Sequence, residues 1–190
     1  MLMGPPGTGK GVCMGIGKGI LQGAGYQRFS ASRSSPERFL KDMKKFDVNP
    51  NSEIADLEAM VLDGPSESYI YAPEFVDFIG EGDKNFINLI TNLWDNLDVY
   101  THPKLHGASV TVDFPTINLL GGCTAQTFAL AFPAEVIGTG FLARLLLIHS
   151  DPTGKMIEWP ELEDPLQKAE MILLLKDIRE KIKGEANFIQ

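Results

Sequence analysis

Cysteine is scarce in this chain of 190 residues. Its two thiols, Cys13 and Cys123, are far apart and fit neither a disulfide framework nor a zinc pattern, so a reducing, cytoplasmic setting is expected. Histidine is scarcer than a metal site would want. His102 and His106 stand four apart, but Pro103 and Gly107 break any helix that would align them, and His149 reads as the end of a strand without chemistry. No apolar run reaches the roughly 18 residues of a membrane span, and no signal-peptide pattern opens the chain. No nucleophile–base triad can be assembled. Basic residues are outnumbered, 17 against 25 acidic, for a net charge of −8. That excludes a broad surface for coating nucleic acid but leaves room for a local basic loop.

Glycine is plentiful, and its densest use is at the start. Gly4-Pro5-Pro6-Gly7-Thr8-Gly9-Lys10-Gly11, running into Val12, follows the phosphate-loop pattern G-x-x-x-x-G-K-[ST] at Gly4, Gly9 and Lys10. Glycines let backbone N–H groups close on phosphate oxygens, a following helix points its positive end at the same anion, and Lys10 adds a mobile charge. Gly11 departs from the pattern, for it stands where a hydroxyl normally ligates Mg²⁺. Only Met1-Leu2-Met3 precedes the loop, so the first strand is expected to be very short, or completed by a longer protein or a partner.

Further along, the pattern predicts a glycine-rich helix from Val12 to about Gln22, a short strand at Tyr26–Ala31 and a helix capped near Ser35 that runs to Phe46. The basic face of that second helix is either solvated or a nucleic-acid contact. A short helix at Ile54–Leu62, a buried strand at Ser68–Ala72 and an amphipathic helix at Asp83–Leu97 follow, the last with Phe86, Ile87, Ile90, Leu93, Trp94 and Leu97 inward. Tyr100 to Val112 reads as a β-hairpin or extended loop, Thr116–Gly122 as the strongest core strand and Pro133–Ile137 as a short helix. Arg144–His149 reads as a buried strand and Leu166–Lys183 as a closing helix with Met171, Leu174, Leu175 and Ile178 on one side. Strands alternating with helices behind such a loop indicate a three-layer α/β fold with a mostly parallel sheet. Residues 1–150 are expected to form the core and 151–190 a helical extension.

Several positions carry candidate chemistry. Glu74 follows a core strand where a carboxylate can orient water or hold Mg²⁺; Pro73 replaces the acidic residue that usually precedes it, and Asp77, one helical turn on, can assist. Asn118 or Thr124 can sense the terminal phosphate, or Thr124 can simply cap a helix starting near Gln126. Arg144 can reach a phosphate across a subunit boundary, or form a structural salt bridge. Lys104, among Tyr100, His102 and His106, is the candidate DNA contact.

The loop GPPGTGKG, then SYIYAPEF, PTINLLGGCT and EVIGTGFLARLLLI, occur in an order that resembles a phage and plasmid replication family of helicase-like ATPases, often joined to primases. That family is related to superfamily-three and minichromosome-maintenance AAA+ helicases. The resemblance covers about residues 1–150. It implies ATP and Mg²⁺ as ligands, Lys10 on phosphate, Glu74 as the acidic motif, Asn118 or Thr124 as sensor, and Arg144 as a finger donated within a homo-oligomeric ring. It also implies a hairpin on single-stranded DNA and partners such as primase, with no membrane. A DNA-packaging or other phage motor, and a degenerate nucleotide-binding assembly factor, are the alternative readings.

Overall fold

The computed structural model describes residues 1–44, 66–95, 98–103, 109–151 and 164–182. Its elements in chain order are β1 (Leu2–Met3), α1 (Lys10–Gly23), α2 (Pro36–Met43), β2 (Glu67–Ala72), α3 (Phe75–Ile79), α4 (Lys84–Trp94), β3 (Val99–His102), β4 (Val110–Asp113), β5 (Thr116–Cys123), α5 (Ala125–Ala131), α6 (Ala134–Ile137), a 3-10 turn (Leu142–Arg144), β6 (Ile148–His149) and α7 (Pro165–Lys181).

Four strands form a parallel sheet in the order β2-β5-β1-β6, and β3 and β4 form a separate antiparallel hairpin. Register puts Leu2 and Met3 opposite Gly122 and Cys123 on one side, and opposite Ile148 and His149 on the other. The short first strand is therefore present, and it is the centre of its end of the sheet. The expected strand at Tyr26–Ala31 reduces to one parallel bridge, Phe29 to Tyr69, flanked by backbone hydrogen bonds from Ser30 to Tyr69 and from Tyr69 to Arg28.

Helices cover both faces because β5 alternates its neighbours. Ile117 and Leu119 share a small crevice with Ile90, Trp94 and Phe141, whereas a Cβ on Gly122 would meet the Met14 sulfur of α1 at 3.2 Å. The core lies on the α3–α4 side. Phe39, Phe78 and Phe86 meet edge-on or tilted, and Phe75, Phe132 and Phe141 stack. Each such buried ring contributes about 1.5–3 kcal/mol.

The glycines of α1 make close approaches on two sides. A Cβ at Gly23 would meet Ile172 of α7 at 2.5 Å, and one at Gly15 would touch the Tyr71 hydroxyl at 3.7 Å. Glycine at 23 thus admits α7, while Gly17 has no atom within 4 Å of that position.

Several expectations need correction. Trp94 is exposed rather than inward, and Leu89 is buried in its place. The proposed buried strand from Arg144 to His149 is a 3-10 turn, an extended stretch and a two-residue strand whose Ile148 is 49% exposed. The reason is the length of β1: two residues offer two partners, and β6 is the sheet edge among the described residues. On α7, Met171, Leu174 and Ile178 are exposed while Leu175 is half-buried, and Ile172, outside that stripe, approaches Gly23 of α1. The expected helix at 54–62, with Phe46, Leu97 and Lys104, lies outside the described residues.

The two kinds of glycine should respond oppositely to alanine. Gly17→Ala should raise unfolding free energy by about 0.5–1 kcal/mol, by helix propensity alone. Gly122→Ala, whose methyl would run into the Pro73 carbonyl, should lower it by about 1–3 kcal/mol. Urea titrations of both variants check this; equal midpoints would remove the packing role of Gly122.

Candidate functional site

In a parallel sheet all carboxyl ends lie on one edge, and ligands bind there. Here that edge gathers the loop after β1, Pro73-Glu74 after β2, Thr124 after β5 and Ser150 after β6. The convergence is tight. Gly4 N–H donates to the Cys123 carbonyl at 3.3 Å, and Ser150 N–H donates to the Met3 carbonyl at 3.1 Å. A Cβ on Gly4 would come within 2.7 Å of the Ser150 carbonyl. Pairing of β2 with β5 ends at Ala72 opposite Gly121, one residue before the Gly122 that faces Leu2, so Pro73-Glu74 follow directly at this edge. β2 itself lies two strand spacings from β1, or about 10 Å.

The loop folds as its glycines dictate. Gly7 and Gly9 take φ of 80° and 76°, the left-handed region where a side chain is strained. Gly9 caps α1 without a side-chain hydrogen bond, and no acidic residue sits in the first turn. No side chain of the first turn or cap position therefore takes the N–H groups that open α1. Lys10 closes the loop from within: its Nζ donates to the Gly4 carbonyl at 2.7 Å, the Pro5 carbonyl at 2.8 Å and Thr8 Oγ1 at 3.2 Å. Those three bonds use the ammonium's full donor set. Thr8 in turn donates to Pro5 at 2.9 Å. Pro6, Gly11 and Val12 are exposed around it.

Glu74 is exposed and begins α3 with no side-chain capping bond, so its carboxylate is not consumed locally. Cys123 registers the electrostatics of the edge. Burial pushes its thiol up, the chain amine and Lys10 pull it back, and Glu74 pushes it up again. Lys10 and Glu74 therefore act on one spot, from opposite sides of β5. Burial likewise lowers the Met1 amine, which donates to the Leu146 carbonyl at 2.6 Å.

Thr124 is a helix cap. Its Oγ1 accepts from Thr127 N–H at 3.1 Å, and Thr127 Oγ1 accepts from Thr124 N–H at 2.8 Å. The capping role is seen, at a position still on the edge. Asn118 is not brought there. It is exposed, pairs with Tyr69 and precedes Cys123 by five residues, or about 16 Å of strand. Arg144 forks onto Asp95, with Nη2 2.7 Å from Oδ1 and 3.0 Å from Oδ2, and Nε 3.0 Å from Oδ1. Its Nη1 donates to Gly140 at 2.9 Å. No sequence pattern tied Arg144 to Asp95, and none pointed to Ser150 or to the close approach at Gly122.

Among the described residues no group of three or more His, Cys, Asp or Glu could hold a metal ion by itself. That donor set still fits Mg²⁺ of the kind held mainly by substrate phosphates and water with one or two carboxylates, for which Glu74 is the free carboxylate. Among the described residues no helix is long and apolar enough to cross a membrane. No family model, no curated protein and no solved structure matches the chain.

The two thiols should separate chemically. Cys13 is exposed and Cys123 buried with a raised pKa, so at about pH 8 iodoacetamide should modify Cys13 first and Cys123 slowly, because the thiolate is the nucleophile. Lys10→Ala removes a cation that lowers the Cys123 pKa, and should slow that site further. Peptide mass spectrometry over time checks both; a Cys123 rate equal to that of Cys13, or one raised by Lys10→Ala, would contradict this electrostatic map.

Proposed function

We propose that this chain is an ATP-binding motor segment of a phage or mobile-element replication helicase, similar to the superfamily-three and minichromosome-maintenance AAA+ proteins. The observation that carries this reading is the meeting of the glycine loop, Lys10 and Glu74 at one carboxyl edge. The loop N–H groups and the start of α1 would take the β- and γ-phosphates, and Lys10 would exchange loop carbonyls for phosphate oxygens. That exchange trades neutral acceptors for charged ones and strengthens each hydrogen bond. Glu74, across β5 from the loop, would orient the attacking water. Mg²⁺, held by the phosphates and Glu74, would supply neutralisation of developing charge. Thr124, on the edge, would approach the terminal phosphate on leaving its cap, whereas Asn118 is too far along β5 to share that role. Coupling to DNA is assigned to the β3–β4 hairpin and the segment between its strands, which includes Lys104.

The second reading, a nucleotide-binding assembly factor with little or no turnover, is favoured by Gly11 and Pro73, which provide neither a hydroxyl nor a carboxylate for the metal. One pair of variants separates the two. Lys10→Ala should abolish ATP binding in calorimetry. Glu74→Gln should bind ATP as the unaltered chain does and lose phosphate release by about 10²-fold or more, the scale of general-base loss. Equal affinity in Lys10→Ala would remove the loop from nucleotide binding. Tight binding without turnover in the unaltered chain would select the assembly factor.

Arg144 completes the ring reading only if it leaves Asp95 for a neighbour's phosphate. An arginine finger is worth about 10³–10⁵ in rate. Arg144→Ala should therefore bind ATP and not hydrolyse it, and mixing it with Lys10→Ala should restore part of the turnover, since some interfaces would be intact. Asp95→Asn should leave turnover at least as fast. Folded, assembled mixtures with no recovered hydrolysis would confine Arg144 to its salt bridge.

A further inference from the structure

Asp151 follows β6 at the carboxyl edge, on the opposite side of the loop from Glu74. The strand order β2-β5-β1-β6 puts β6 one strand past β1, away from β5. His149 pairs with Met3, and Ser150 N–H donates to the Met3 carbonyl. The Ser150 carbonyl lies so close to Gly4 that no side chain fits between them. Asp151 is the next residue, so that backbone contact ties it to the start of the loop. Its side chain is 84% exposed. Ser150 Oγ donates to the Asp151 main-chain carbonyl at 3.3 Å, not to the carboxylate. His149 Nε2 is 3.9 Å from Oδ1, beyond hydrogen-bond length. The carboxylate thus keeps its acceptor capacity among the described residues.

The direction of phosphoryl transfer decides which part of a nucleotide reaches that side. The attacking and leaving oxygens lie roughly in line through the γ-phosphorus. With water oriented by Glu74, after β2, the leaving β- and α-phosphates trail away from β2 and across β1. The nucleoside then follows toward β6, about 4.8 Å beyond β1. Residues 148–151 include no Lys or Arg to hold a phosphate there. A carboxylate repels phosphate and accepts hydrogen bonds without donating them. Past the α-phosphate, the first donors that a nucleotide offers are its adjacent ribose 2′ and 3′ hydroxyls. Two carboxylate oxygens match that pair, and an acidic side chain on the ribose 2′ hydroxyl is how dinucleotide folds hold the same sugar.

We propose that Asp151 binds the ribose hydroxyls of the nucleotide and makes the site selective for ribonucleotides over 2′-deoxyribonucleotides. The role rests on the nucleotide-binding reading of the loop and goes beyond it, since neither the loop nor Glu74 touches the sugar. The test is calorimetry of the full chain with ATP, dATP and inorganic tripolyphosphate, each with Mg²⁺. The unaltered chain should bind ATP about tenfold more tightly than dATP, the scale of one charge-assisted hydrogen bond. Asp151→Ala should bring that ratio to about one. Asp151→Asn, which keeps one acceptor oxygen, should retain part of it. Removing the negative charge also strengthens every anion's binding, but that effect cancels in the ratio, and tripolyphosphate measures it separately. Equal affinity for ATP and dATP in the unaltered chain would overturn the proposal. So would a ratio unchanged in Asp151→Ala. If Lys10→Ala still loses all three ligands, either result leaves the loop reading standing. If neither ATP nor tripolyphosphate binds the unaltered chain, the loop reading falls and Asp151 falls with it.

Discussion

The architecture depends on a close backbone approach around a strand of two residues. β1 is held between β5 and β6, and it can sit there because Gly4 and Gly122 carry no side chains. A methyl at either glycine would strike a backbone carbonyl, of Ser150 or of Pro73. Backbone cannot move aside as a side chain does, so these contacts fix how near the strand ends come to one another. The loop after β1, the Glu74 turn after β2 and the Thr124 cap after β5 inherit their spacing from that constraint. The electrostatics follow, since Lys10 and Glu74 share an influence on Cys123 only because β5 is so close to both.

Much of this was legible in the residues, for identifiable reasons. The phosphate-loop pattern is local chemistry: left-handed φ at Gly7 and Gly9 is demanded by the turn, and glycine is what the turn accepts. The caps at Ser35 and Thr124 are equally local, as is the helix over residues 84–94, whose apolar spacing follows its turn. The β3–β4 hairpin shows in the alternation of Val110, Thr111 and Val112. What could not be read depends on partners distant in sequence. Arg144 and Asp95 are 49 residues apart, and nothing near either announces the other. The apolar run at 145–148 has the composition of a buried strand, but its pairing is limited by the length of β1, a property of another part of the chain. Asn118 is in the right strand, and only register reveals that it is too far from the edge.

At the carboxyl edge Lys10 is turned inward onto the Gly4 and Pro5 carbonyls, while carboxylates and carboxamides line a groove along α4. With a net charge of −8, the chain as a whole repels phosphate, so any attraction to it has to be local. Arg144 is held by its fork on Asp95, which neutralises it within the chain until a stronger acceptor competes.

The outer strand of the sheet has a colloidal consequence. Leu146 and Leu147, which lead into β6, and Ile148 within it are 76%, 42% and 49% exposed, and β6 is the outer strand among the described residues. An apolar strand edge is a template for pairing with another chain. Mutual repulsion between chains of charge −8 opposes that pairing in dilute buffer, but its range shrinks to about 8 Å at physiological ionic strength. The chain is therefore best dispersed at low salt, and added salt moves the balance from long-range repulsion to short-range strand contact.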